Sequence, residues 1–161
     1  MPSSITSKEL VEKSVQAAVS AIELYNKPDF RYREESFAIL MSNAWELLFK
    51  AKALKDGGEN LDTITETKKV RNEETGATET APKTNRSGNA MTVGIGYLAP
   101  QMFSNKVDGL TKECLTNIEL LIEVRDNAIH FMNADLALAK TVLEIGTASL
   151  KNYMALAVRW F

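Results

Sequence analysis

The chain has one cysteine, Cys114, and one histidine, His130, in 161 residues. A lone cysteine rules out a disulfide framework and a cysteine zinc cluster. The sequence shows no metal-ligand cluster, and no cofactor is expected. Cys114 falls on an apolar helical stripe and reads as a small core residue in a chain suited to a reducing cytoplasm. No run approaches the ~18 apolar residues of a membrane span, and the polar start Pro2-Ser3-Ser4 has no signal-peptide core. Neither charge sign dominates: 19 Lys and Arg face 21 Asp and Glu. A net charge of −2 argues against a broadly basic nucleic-acid coat while leaving room for a local basic patch. There is no internal repeat.

What is present is the apolar content of a globular domain, 45% beside 25% charged residues, and the length fits one domain over residues 1–161. Thr6-Ser7-Lys8-Glu9 is a capping-box pattern. The helix after it carries Val11, Val15, Ala18, Ile22 and Tyr25 at three- and four-residue steps, which predicts one buried face; Pro28 ends it. A longer helix follows from about Arg31 to Lys55. Phe37, Leu40, Met41, Ala44, Trp45, Leu47, Leu48, Ala51 and Leu54 cover more than half its circumference, so it should be central. Gly57-Gly58 stops it.

From Leu61 to Asn89 large apolar residues almost vanish, marking a polar insertion (residues 61–89). The β-branched run Ile64–Val70 and the turn-forming Glu74-Thr75-Gly76-Ala77 predict an exposed hairpin, with a solvated loop as the alternative. Lys68, Lys69, Arg71 and Arg86 are candidate RNA contacts, diluted by Glu66, Glu73, Glu74 and Glu79. The backbone amides of Arg86-Ser87-Gly88-Asn89 are a candidate anion cradle.

Thr92 is the expected cap of a short helix through Tyr97 and Leu98, limited by Pro100. From about Gly109 another helix carries Leu110, Cys114, Leu115, Ile118, Leu121, Val124, Ala128 and Phe131 as its apolar stripe, widened by Leu120 and Ile122. Asn133 or Asp135 then caps a last helix with Leu136, Leu143, Leu150, Met154 and Ala157 along one side. That helix reaches Trp160-Phe161 without a stop signal, the pattern expected of the N-terminal part of a longer protein. Four main helices, a short one and a polar insertion between the second and third define an all-α bundle.

Into the penultimate helix the chain places Arg125-Asp126-Asn127 and the only imidazole, His130. Asp126 precedes His130 by four residues, on the same face, where a carboxylate holds one ring tautomer and favours its protonated form. Arg and His five residues apart, with a polar residue after the Arg, near the end of a long helix, resemble the signature of HEPN domains. Ala44-Trp45-Glu46-Leu47-Leu48, then Arg86-Ser87-Gly88-Asn89-Ala90-Met91-Thr92, then Leu120-Leu121 before Arg125 resemble a prokaryotic HEPN-like branch catalogued mainly as a domain of unknown function. The resemblance runs from about residue 30 to 135.

The resemblance implies a HEPN-like bundle, a homodimer bringing two motifs to one cleft, and a metal-independent endoribonuclease of the toxin or anti-phage defence type. In that scheme His130 moves the proton as general acid and base, and Arg125 stabilises the phosphoryl charge. Asp126 orients His130, and Asn127 contacts substrate or partner. Two readings compete with it. One is a non-catalytic HEPN-like module for RNA or nucleotide binding or for dimerisation; the other is a helical assembly domain with His130 simply buried.

Overall fold

Thr6 and Glu9 start the first helix as their spacing requires. The Glu9 amide donates to Thr6 Oγ1 at 3.2 Å, and the Thr6 amide donates to Glu9 Oε2 at 2.8 Å. A computed structural model describes residues 5–73, 75–129 and 135–161. Among them are five helices: α1 (Ser7–Asn26), α2 (Arg33–Asp56), α3 (Ile95–Ser104), α4 (Lys112–Ile129) and α5 (Asp135–Trp160). Between α2 and α3, a 3₁₀ turn at Leu61–Thr63 leads into an antiparallel pair, β1 (Thr67–Arg71) and β2 (Thr78–Pro82). The fold is therefore mostly helical, with one small sheet in the polar insertion.

Helix α2 is the hub and touches every other helix. Trp45, Leu48, Phe49, Ala51 and Leu54 on it are wholly buried. Removing a buried side chain of Trp45's size costs about 3–5 kcal/mol. The Trp45 indole N–H donates to Ser149 Oγ at 2.7 Å, and its ring meets Tyr153 edge-on at 5.4 Å. Tyr153 in turn lies 2.7 Å from Ser14 Oγ, which donates to the Ala44 carbonyl at 2.6 Å. A short polar thread thus ties α1, α2 and α5 through the apolar interior.

Two helical faces differ from their expected setting. On α1, Val15 and Ile22 are exposed, the buried positions are Ser7, Leu10, Ser14, Ala17, Ala18 and Ala21, and Val11 and Tyr25 pack partly buried at the edge of the core. Small residues let α1 lie close on α2, and Ser14 finds its partners there, so the packed face lies one position away from the valine stripe. On α5, Leu143 and Met154 are exposed, while Leu138, Val142, Ser149, Tyr153, Leu156 and Trp160 point inward. Gly146 completes that face: a Cβ there would come within 2.7 Å of the Phe37 ring. Leu136 has a side chain outside the described set, and Phe131 and Asn133 fall outside the described residues.

Helix α3 also departs from expectation. Its N-cap is Gly94, not Thr92, and it runs through Pro100 to Ser104. Glu46 of α2 supplies the cap, accepting from the Ile95 amide at 3.3 Å and from Lys50 Nζ at 2.6 Å. Lys50 Nζ also donates to Thr92 Oγ1 at 2.9 Å, which draws that hydroxyl away from capping. On α4, Cys114, Leu115, Ile118, Leu121, Val124 and Ala128 are buried as the stripe requires and Ile122 is partly buried against the core. Leu120, read as part of the stripe, is exposed because it lies too far round the helix from that face. Burial pushes the Cys114 thiol up to about 11, so it stays protonated and inert. Trp160 ends α5 inside the fold, edge-on to Phe49, with its N–H donated to the Asp108 carbonyl at 2.8 Å.

The insertion is a hairpin, and its base is anchored. Ile64 is buried against Leu10, Ala51 and Leu54, at the C-terminal end of α2. The Val93 amide donates to the Ile64 carbonyl at 2.9 Å, and the Glu66 amide to that of Met91 at 2.8 Å. Gly76, at φ 68°, takes the left-handed step in the turn that other residues resist. Both strands are solvent-exposed along almost their whole length.

Candidate functional site

Arg125, Asp126 and Asn127 occupy the last turns of α4, and His130 lies outside the described residues. Arg125 is partly buried and pairs with its neighbour: Nε donates to Asp126 Oδ1 at 2.9 Å, and Nη2 lies 2.8 Å from the same oxygen. The Asp126 carboxylate, expected to serve the imidazole, is engaged by the guanidinium in this arrangement. Its other oxygen, Oδ2, takes no part in that pair.

Asn127 is elsewhere. Two residues along a helix turn the side chain by about 200°, so it faces away from Arg125. It lines a cleft of about 210 Å³ between α4 and α5, with Leu120, Glu123, Val124, Leu138, Thr141 and Ile145. Leu138 also borders a larger cleft, about 670 Å³, formed by Asp29, Phe30, Arg31, Arg33, Glu34 and Glu35 at the start of α2. The two clefts share Leu138 of α5 as a common wall.

The cleft at the start of α2 was not singled out from sequence. Its signal was there: Asp29–Glu35 packs five charged side chains into seven residues after the Pro28 break. Arg33 has a structural task, donating to the Phe30 carbonyl at 2.9 Å and to the Lys27 carbonyl at 3.2 Å. Glu35 Oε2 is buried there without a hydrogen-bond partner.

Lys68, Lys69 and Arg71 sit on β1, and Arg86 in the following turn; all four are exposed. They are not brought to Arg125. Their hairpin is anchored by Ile64 against Ala51 and Leu54, toward the C-terminal end of α2, and none of the four lines the clefts beside α4 and the start of α2. The anion cradle expected at Arg86–Asn89 is closed from within. Asn85 Oδ1 accepts from the amides of Ser87 at 2.9 Å and Asn89 at 3.0 Å, and the Gly88 amide goes to the Asn85 carbonyl. Glu46 and Thr92, two residues of the segments carrying the resemblance, form the α2–α3 bracket already described.

Among the described residues no group of three or more His, Cys, Asp or Glu converges as a metal site, and no helix is long and apolar enough to cross a membrane. What emerges is a helical domain with an Arg125–Asp126 ion pair near the end of α4 and an exposed hairpin of mixed charge between α2 and α3. The chain belongs to the family described as Domain of unknown function (DUF3644), whose model matches residues 9–161. No curated protein and no solved structure matches it.

Proposed function

We propose that the protein is a HEPN-like endoribonuclease of the toxin or anti-phage defence type, acting on RNA as a homodimer without a metal ion. The observation that carries the reading is the end of α4, where Arg125 and Asp126 are held together, four residues before the only imidazole of the sequence. In the reaction, the ribose 2′-hydroxyl attacks the adjacent phosphorus and the bond to the 5′-oxygen breaks. The products are a 2′,3′-cyclic phosphate and a 5′-hydroxyl. His130 takes the proton from the nucleophile and returns one to the leaving oxygen. Arg125 spreads two N–H donors across the phosphoryl oxygens as charge builds, once the Asp126 carboxylate yields one of them. A two-fold axis near the end of α4 sets two such pairs facing one strand.

The test is cleavage of RNA by the purified protein in EDTA, with mass spectrometry of the product ends. Arg125→Ala and His130→Ala should each lower the rate at least about a hundredfold while leaving the melting curve intact. Arg125→Lys should not restore it, because an ammonium lacks the planar fork. Undiminished cleavage by His130→Ala refutes the scheme. A second reading, a non-catalytic module binding RNA or nucleotide, is favoured by one observation: Arg125 already has its charge matched by Asp126. RNA binding without product formation would select it.

A further inference from the structure

The β1–β2 ribbon buries almost nothing, although it is well formed. An isolated two-stranded hairpin is at best marginally stable in water, and this one is held only at its base. Its surface therefore has no packing role, and its chemistry is sorted by side. In an antiparallel ladder directly paired residues share a face, and successive residues alternate between faces. The register pairs Thr67 with Pro82, Lys69 with Thr80 and Arg71 with Thr78 on one face. The other face carries Lys68 with Ala81 and Val70 with Glu79.

The acids of the ribbon lie on that second face, and both are engaged. Glu66 forms an ion pair with Lys83 at 2.9 Å. Glu79 accepts from Asn72 Nδ2 at 2.8 Å. The first face presents Lys69, Arg71 and three threonine hydroxyls, with no carboxylate in the paired strands; Glu73 lies beyond the last pair, in the turn. A sequence-level count of charges cancels Lys69 and Arg71 against Glu66 and Glu79. The register removes that cancellation.

We infer that the Lys69–Arg71–Thr67–Thr78–Thr80 face of the ribbon is a nucleic-acid contact that grips the phosphate backbone, separate from the Arg125 end of the domain. Lys69 and Arg71 stand two residues apart on one strand, about 7 Å, a span that suits neighbouring phosphates of a single strand. Arg, Lys and Thr are the side chains that hold phosphate oxygens without reading bases, so the contact fixes position rather than sequence. Because no step of cleavage passes through these residues, the inference stands whether or not the domain is a ribonuclease.

The test uses the full chain carrying His130→Ala, so that the probe is not consumed. Its affinity for a fluorescein-labelled 20-nucleotide single-stranded RNA is read by anisotropy across a salt series. Two charge-matched double variants are compared: Lys69→Ala with Arg71→Ala, and Lys68→Ala with Lys83→Ala. The first pair should weaken binding at least about tenfold and reduce the slope of log K against log salt by roughly 1.4, two single-strand phosphate contacts. The second pair should stay within about threefold of the parent. Equal losses from both pairs would mean net charge alone and would overturn the inference, as would no loss from the first. A labelled poly-glutamate peptide held as tightly as the RNA would also overturn it. Binding of the matching DNA strand with the same variant pattern would support it, since the backbone is the shared feature.

Discussion

The Ser14–Tyr153 contact allows a sharp test of how the three long helices are held together. Ser14 has one hydroxyl proton, and it goes to the Ala44 carbonyl at 2.6 Å. Tyr153 must therefore be the donor in the 2.7 Å contact between the two hydroxyls. The two deletions then differ in kind. Ser14→Ala strands a buried phenol donor, a loss of about 1–3 kcal/mol, offset by about 0.5 kcal/mol of helix propensity gained on going to alanine. Tyr153→Phe leaves the serine still bonded to Ala44 and forfeits one ordinary hydrogen bond, about 1 kcal/mol. At roughly 2–4 °C per kcal/mol for a domain of this length, the expected falls in melting temperature are about 1–10 °C and 2–4 °C. The double variant should cost less than the two together, by about 1 kcal/mol, because no donor is left stranded. Urea unfolding with an unchanged m-value is the measurement. Strict additivity, or a Ser14→Ala protein as stable as the parent, would refute the assigned proton direction and the coupling.

Three further outcomes follow from packing and charge. Ser42 is buried on α2 with its hydroxyl unpartnered, so Ser42→Ala should raise stability by about 1 kcal/mol in the same urea assay. Gly146→Ala sets a methyl 2.7 Å from the Phe37 ring and should cost about 1–3 kcal/mol by calorimetry, with Phe37→Leu in the same chain recovering part of it. On acidification, the hydrogen bond from Arg159 holds the Asp108 carboxyl below its ordinary value, and the one from Ser7 does the same for Glu59. Depressed carboxylates contribute stability that is complete above their unfolded pKa, roughly pH 4, and is lost as pH falls through the folded value. The melting temperature should therefore drop below about pH 4, and Asp108→Asn with Glu59→Gln should flatten that drop.

Local signals were legible in the sequence and non-local ones were not. The Thr6–Glu9 box, the Gly57 stop, the hairpin and the α4 stripe apart from Leu120 each depend on residues within a few positions, and each is found where the pattern put it. The α1 and α5 faces are right only in part: Val11, Ala18, Tyr25, Leu150 and Ala157 reach the core, but hydrophobicity ranks Val15 above Ser14 and Met154 above Tyr153. Those polar residues are inside because partners on other helices satisfy them. The α3 cap was misassigned for a similar reason, since Glu46 reaches it from 49 residues away. At the candidate site, the pairing of Arg125 with Asp126 was hidden because their adjacency says nothing about rotamers. The setting of Asn127 on the opposite side follows from helical geometry alone.

The anchoring of the insertion has a topological consequence. Ile64 and Val93 are hydrogen-bonded neighbours, so the 28 residues between them leave and re-enter the helical body at one point. From the standpoint of the bundle, that excursion is a closed loop hung on a fixed neck. Loop-closure entropy grows only slowly with length, so the neck tolerates a longer or shorter excursion at a cost of about 0.6 kcal/mol per doubling. The helices that carry Arg125 are thereby insulated from changes in the ribbon, and the surface at one end of the domain is free to diverge while the other end keeps its geometry.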